Sequence, residues 1–341
     1  MPRTPSHLYG GFPMGTLRIH FTADDLVRTT LAAAPDPLWE VVLSHFRLRE
    51  RSLRPVYRSW MGDLRADPER MARVKTGARL LDVLAPLGPY WPDFLTPHES
   101  KSGLAGGLDA IMSTPRARLR EEFERLAQHR RLPGWVASLA DGDVETLTRV
   151  SAAIRSYHDA AIAPSHQLIH LAVAADRAQR ARDMLEHGTE GLLAGMGTLM
   201  RWRPPVLEVA YDIDAVLHLG GRGLRLVPSY FCQRTSVTLA DPELPPVLIY
   251  PIDHQHHWST VVRRGVEPLL GRTRAAALLA VATSAPTTGE LARTLRISPA
   301  SASRQATVLR EAGLILTVRD GSSVLHAITP LGEALLEGRP L

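Results

Sequence analysis

The side chains best suited to meeting a polyanion are concentrated between residues 298 and 312. At 100° per residue, Ala302, Ala306 and Leu309 fall on one side of a helix with Ile297 just ahead of them, and Ala300, Ser303, Arg304 and Thr307 fall opposite. An ordinary surface helix carries long charged side chains on its wet face, whereas this one carries small groups, a single Arg and a nearby Gln305. Small side chains let a backbone approach a groove closely, and Ser, Thr, Arg and Gln donate to phosphates and base edges. Ala300, Ser303, Arg304, Gln305 and Thr307 on this face are candidate contacts to duplex DNA, and Thr288, Pro299 and Arg310 join the candidate set. Arg304 is the strongest candidate for a base contact, with guanine its usual partner.

The flanking sequence supplies the elements that must position this face. The Ala/Leu-rich run 272–284 predicts a first helix. Thr287-Thr288-Gly289-Glu290 fits a capping box, in which hydroxyl and carboxylate satisfy each other's backbone donors, and opens a short helix 288–295. Arg296-Ile297 forms the turn. Ser298-Pro299 is an N-cap followed by proline at the first helical position, and Gly313 ends that helix. Two β-rich runs, 314–319 and 323–328, then flank Asp320-Gly321-Ser322, a strong hairpin signal. Directly after such a helix the hairpin is a wing, with Arg319 and Ser322 placed to touch phosphate or the minor groove. Thr329-Pro330 opens a closing helix.

At 341 residues the chain is long enough for two or three domains. Its composition, 45% hydrophobic and 22% charged, is that of a globular protein, and no apolar run approaches the roughly 20 residues of a bilayer span. Neither a signal peptide nor an anchor is read at the N-terminus, so the expected location is the cytoplasm. Residues 1–13 are expected to be a disordered extension, with Met14 the true start. The net charge is +5, and from Val261 onward ten arginines face six carboxylates, which places +4 of it at the C-terminal end. A single cysteine, Cys232, excludes an internal disulfide and a thiolate metal cage within one chain.

Ahead of the C-terminal segment, residues 17–21 alternate as a strand, and Thr22-x-x-Asp25 starts a helix expected to run to about residue 34. Helical signals dominate to about residue 200, including 143–161 and 165–187. Short β-rich runs follow at 206–211, 215–219, 224–230 and 247–250. Gly220-Gly221-Arg222-Gly223 separates two of them and reads as a tight hairpin; no helix follows, as a phosphate loop would require. Aromatics gather near this β-rich part: Trp202, Tyr211, Tyr230 and Phe231, with His218 close by, form a candidate effector pocket, with ordinary core packing as the alternative. Asp253-His254-Gln255-His256-His257 could present ligands to a divalent metal from one face of an extended strand, but reads as a linker or domain rim. Ser165, His166 and His170 lack the G-x-S-x-G elbow and placed acid of a hydrolase. No catalytic residue, metal or cofactor is expected.

The run TTGELARTLRISPASASRQATVLREAGLI, residues 287–315, resembles the winged-helix DNA-binding domain of ArsR-type repressors, and the likeness extends over roughly 266–337. It implies that Ser298, Ser301, Ser303 and Arg304 fall where that family contacts DNA and that Arg319 and Ser322 fall on its wing. It also implies a homodimer on a DNA operator. The metal-sensing cysteines and histidines of the family are absent from the matching helices, so metal control does not carry over. The stretches LRIHFTADDL, DPLWE and RWRPPVLEV resemble an uncharacterised domain that precedes such readers in regulators of high-G+C bacteria.

The expected fold class is mainly α with a small β-sheet (α+β): a helical N-terminal regulatory and dimerisation domain over 14–258, β-rich near 206–251, and a winged helix-turn-helix over 259–341. The expected function is a repressor-type transcriptional regulator with an unknown small-molecule effector. The alternative is a ligand-binding or enzymatic protein whose C-terminal module docks a protein partner.

Overall fold

The computed structural model describes residues 15–50, 55–88, 90–197, 200–233, 235–252, 254, 266–284, 286–320 and 323–337. The fold is mainly α with small sheets. The chain divides into two compact units, residues 1–252 and 253–341. The sequence-based boundary at 258/259, the proposed start at Met14 and most of the histidine run lie outside the described residues.

The first unit opens with β1 (Gly15–His20) and α1 (Ala23–Arg28), continues through β2 (Thr30–Leu31), and then becomes helical. The helices are α2 (Pro37–Leu48), α3 (Pro55–Ala66), α4 (Pro68–Leu84), α5 (Leu104–Met112), α6 (Arg116–Ala127), α7 (Trp135–Ala140), α8 (Val144–Ala161) and α9 (His166–Ala194). Gly188, at φ 67°, breaks α9 into a long segment and a short one. Strands β3 (Met200–Arg203), β4 (Val206–Tyr211), β5 (Ala215–His218), β6 (Arg225–Ser229) and β7 (Val247–Pro251) complete the unit.

These strands form two sheets, ordered β3-β4-β1-β5 and β2-β6-β7. The second is parallel throughout, and both of its faces are covered, as parallel sheets require. Val227, Val247 and Ile249 point into the helical core around Trp60, Tyr57 and Tyr157. Leu226, Leu248 and Tyr250 point the other way, into a second core shared with Leu17, Ile19, Leu207 and the last turn of α9. That double burial explains the unbroken apolar run 247–250, which has no polar alternation to show a wet side.

The structure departs from the sequence expectation at two places. The first concerns α1, which stops at Arg28 instead of continuing to residue 34, because Thr29 is already extended and Thr30–Leu31 pair with β6. The second concerns the glycine-rich stretch, which is not a hairpin, since β5 and β6 belong to different sheets and residues 219–224 cross between them. The loop is organised by a distant carboxylate. Asp25, fully buried, accepts from Thr22 N at 2.8 Å, Thr22 Oγ1 at 2.7 Å and Gly223 N at 2.8 Å. Burial alone would raise its pKa, but these donors together hold it below the usual carboxylate value. Gly223 sits at φ 74°, and a Cβ there would lie 2.5 Å from Arg28 O.

A second buried carboxylate caps the other end of β6. Glu40 on α2 accepts from Tyr230 N at 2.8 Å, Phe231 N at 3.1 Å and Ser229 Oγ at 3.1 Å. Helix α4 lies close against α8 because Gly77 offers no side chain: a Cβ there would come within 2.8 Å of Tyr157 Cβ.

The second unit runs α10 (Arg272–Ser284), α11 (Thr288–Leu295), α12 (Pro299–Glu311), β8 (Ile315–Asp320), β9 (Ser323–Ile328) and α13 (Pro330–Glu337). Its core joins Ala275, Leu278 and Val281 of α10 to Leu291, Ala302, Leu309, Ile315 and Leu336. Strands β8 and β9 pair antiparallel, and β9 also meets the segment before α11, with His326 N donating to Pro286 O at 3.0 Å. The hairpin is thus tied to the base of the helical pair.

Candidate nucleic-acid interface

The local sequence builds α12 and its turn from caps. Thr287 and Glu290 form the capping box that starts α11. Arg296 then takes the left-handed conformation, φ 53°, and lets the chain reverse. Ser298 Oγ accepts from Ser301 N at 3.2 Å and Pro299 follows at the first helical position. Gly313, at φ 71°, closes the helix.

Helix α12 buries Ala302, Ala306 and Leu309 and exposes Pro299, Ala300, Ser303, Arg304, Val308 and Arg310, as well as its N-cap Ser298; Ser301, Gln305 and Thr307 are half-buried. Ala300, Ser303, Arg304 and Thr307 share the outward side with the exposed Val308, so small groups and one apolar side chain surround a single guanidinium. Arg304 Nη2 donates to Ser301 Oγ at 3.3 Å, which steadies the guanidinium without burying it. Gln305 Oε1 accepts from Arg274 Nε at 3.2 Å, leaving its amide NH2 to donate. Glu311, exposed at the C-terminal end of the same side, would repel phosphate, so the face is suited to nucleic acid toward its N-terminal two turns.

Thr288 stands apart from this group. Its Oγ1 lies 2.9 Å from His326 Nε2, and the other ring nitrogen lies 3.3 Å from Thr317 Oγ1. One imidazole therefore ties α11 to both strands of the hairpin, and it is only 4% exposed. Burial, reinforced by nearby Arg310, holds its pKa below the usual histidine value. Sequence reasoning missed His326; the available signal was its period-2 parity with Val324 and Ile328 on a strand packed to one side. Arg319 lies on β8 opposite Val324, and Ser322 lies outside the described residues.

The five residues grouped as an effector pocket are dispersed. Tyr230 and Phe231 are buried in the helical core, where Phe231 lies 4.7 Å from Trp60 and stacks on Tyr57 at 5.6 Å. Trp202 and Tyr211 border the second core, beyond the buried sheet, with Trp202 edge-on to Phe21 at 5.2 Å. His218 is exposed on β5 and stacks on His20 at 4.6 Å. His166 and His170 are ring neighbours on the first turns of α9, 3.9 Å apart. Among the described residues, no group of three or more His, Cys, Asp or Glu side chains is arranged to hold a metal ion, and no helix is long and apolar enough to cross a membrane. The chain matches no protein-family model, no curated protein and no solved structure.

Proposed function

We propose that the second unit is a winged helix-turn-helix that reads duplex DNA, and that the protein is a cytoplasmic transcriptional regulator of the ArsR type acting as a repressor. One observation carries this reading: α12 buries Ala302, Ala306 and Leu309 while Ala300, Ser303, Arg304 and Thr307 stand on its outward side. A helix with so slim a polar side can sink into a major groove about 12 Å wide, with Arg304 within reach of a guanine edge. The following hairpin, held to α11 through His326, serves as the wing. Operator affinity calls for two copies on half-sites one helical turn apart, so the working form is a homodimer.

The test is selection of the intact chain against a pool of random duplexes, followed by a competition shift at rising salt. Enrichment of one two-fold-related sequence, retained against excess unrelated duplex and weakened by salt, is the expected result. Failure to enrich any sequence at low salt overturns the reading and favours a module that docks protein.

A further inference from the structure

Helices α4, α5 and α8 line a shallow, open cleft of about 480 Å³, within the size range of small-molecule sites. Its charged lining is balanced. Arg73 comes from α4 and Arg155 from α8, and among the described residues neither guanidinium has a hydrogen bond or an ion pair. Two carboxylates share the lining, Asp109 on α5 and Asp159 one turn beyond Arg155 on α8, the latter 3.1 Å from His158 Nδ1. Among the described residues no ion pair joins a guanidinium to a carboxylate across the gap, so Arg73, Arg155 and Asp109 remain available to something placed between them, while Asp159 shares its carboxylate with His158. Ser151 adds a hydroxyl oxygen at the cleft wall with no hydrogen-bond partner among the described residues. A buried polar atom without a partner is a position that a ligand or water completes.

The chemistry of the lining narrows the occupant. No aromatic ring lines the cleft, so a nucleobase or a sugar ring has no stacking surface there. A simple anion would meet two carboxylates, and a simple cation would meet two guanidiniums. A molecule carrying both signs satisfies each pair, with Leu108 and Met112 against its apolar part. We infer that this cleft binds a small aliphatic zwitterion of the amino-acid class, its carboxylate held by Arg73 and Arg155 and its ammonium facing Asp109 and Asp159. The cleft lies on the helical core of the first unit, where such a ligand would act as the signal molecule of a regulator. The binding itself does not depend on the DNA reading and is tested without DNA.

The experiment is calorimetric titration of the intact chain with the standard free α-amino acids and with glycylglycine and alanylalanine, at millimolar concentration. At least one probe binds saturably. Its N-acetyl form and its carboxamide, each lacking one charge, bind about tenfold more weakly or less. The Arg73→Gln, Arg155→Gln double variant loses the probe to the same degree, and Asp109→Asn weakens it without weakening a simple carboxylate. Arg73 and Arg155 are exposed, so the variants keep the wild-type melting temperature. No binding by any probe overturns the inference, as does affinity unchanged in the double variant or equal affinity for the single-charge forms.

Discussion

Replacing His326 by Ala tests whether the hairpin is fixed to α11 in the way the geometry requires. The imidazole is buried, and its two nitrogens lie 2.9 Å from Thr288 Oγ1 and 3.3 Å from Thr317 Oγ1. Losing two such hydrogen bonds costs about 1 kcal/mol each, and the space left by the ring adds about 1 more, for a total of about 3 kcal/mol. A unit of this size has a stability of roughly 4 to 13 kcal/mol, so the substitution removes a large share of it. The melting temperature of residues 253–341 should fall by about 10 to 20 °C. Acid should act on the same group. Its folded pKa lies below the usual 6.5, so its contribution is present above that value and is lost as pH falls through the folded pKa. Differential scanning calorimetry of the intact chain between pH 5 and 8, with hydrogen exchange on peptides covering α11 and the hairpin assigning the transition to this unit, measures both effects. A drop smaller than about 3 °C, or an acid response in wild type equal to that of the variant, would refute the reasoning.

Gly223→Ala places a Cβ 2.5 Å from Arg28 O at φ 74° and should cost about 3 kcal/mol in urea unfolding followed by tryptophan fluorescence; Gly220→Ala, at φ 63° with open space around it, should cost about 1. Glu40 has its pKa pushed up to about 7 by burial, against 4.5 when exposed, so its contribution is present below 4.5 and lost as pH rises through about 7. Glu40→Gln should therefore flatten part of the loss of first-unit stability between pH 5 and 8, and an unaltered slope would count against that assignment. Arg304→Ala should weaken a selected duplex by about 1 to 3 kcal/mol and relax base preference at one position, leaving the melting temperature unchanged. A uniform loss across sequences would make Arg304 a phosphate contact instead.

The second unit was legible because its signals are local. Thr287 and Glu290, Ser298 and Pro299, and Gly313 each determine a helix end within a few residues, and the 3.6-residue period separates the buried side of α12 from the wet one. The first unit was less legible because its decisive contacts are remote. Three glycines at 220, 221 and 223 announce positive φ, but the carboxylate that shapes their loop is Asp25, and nothing near residue 220 tells whether the chain turns back or crosses to another sheet. The aromatics near the strands were read as one group because they are close in sequence. The buried parallel sheet puts Phe231 in one core and Trp202 against the other, a separation that alternation along a doubly covered strand does not reveal. His326 escaped notice because its partners come from two other elements.

The proposed DNA reading requires the outward side of α12 to enter a major groove, and Ser303→Asp tests that directly. Ser303 is exposed among Ala300, Arg304 and Thr307, so a carboxylate there leaves the fold intact and faces the phosphates and base edges of any bound duplex. Fluorescence anisotropy on the selected duplex should show an affinity loss of about a hundredfold, or about 3 kcal/mol, with the melting temperature unchanged. Affinity within about twofold of wild type would contradict the account.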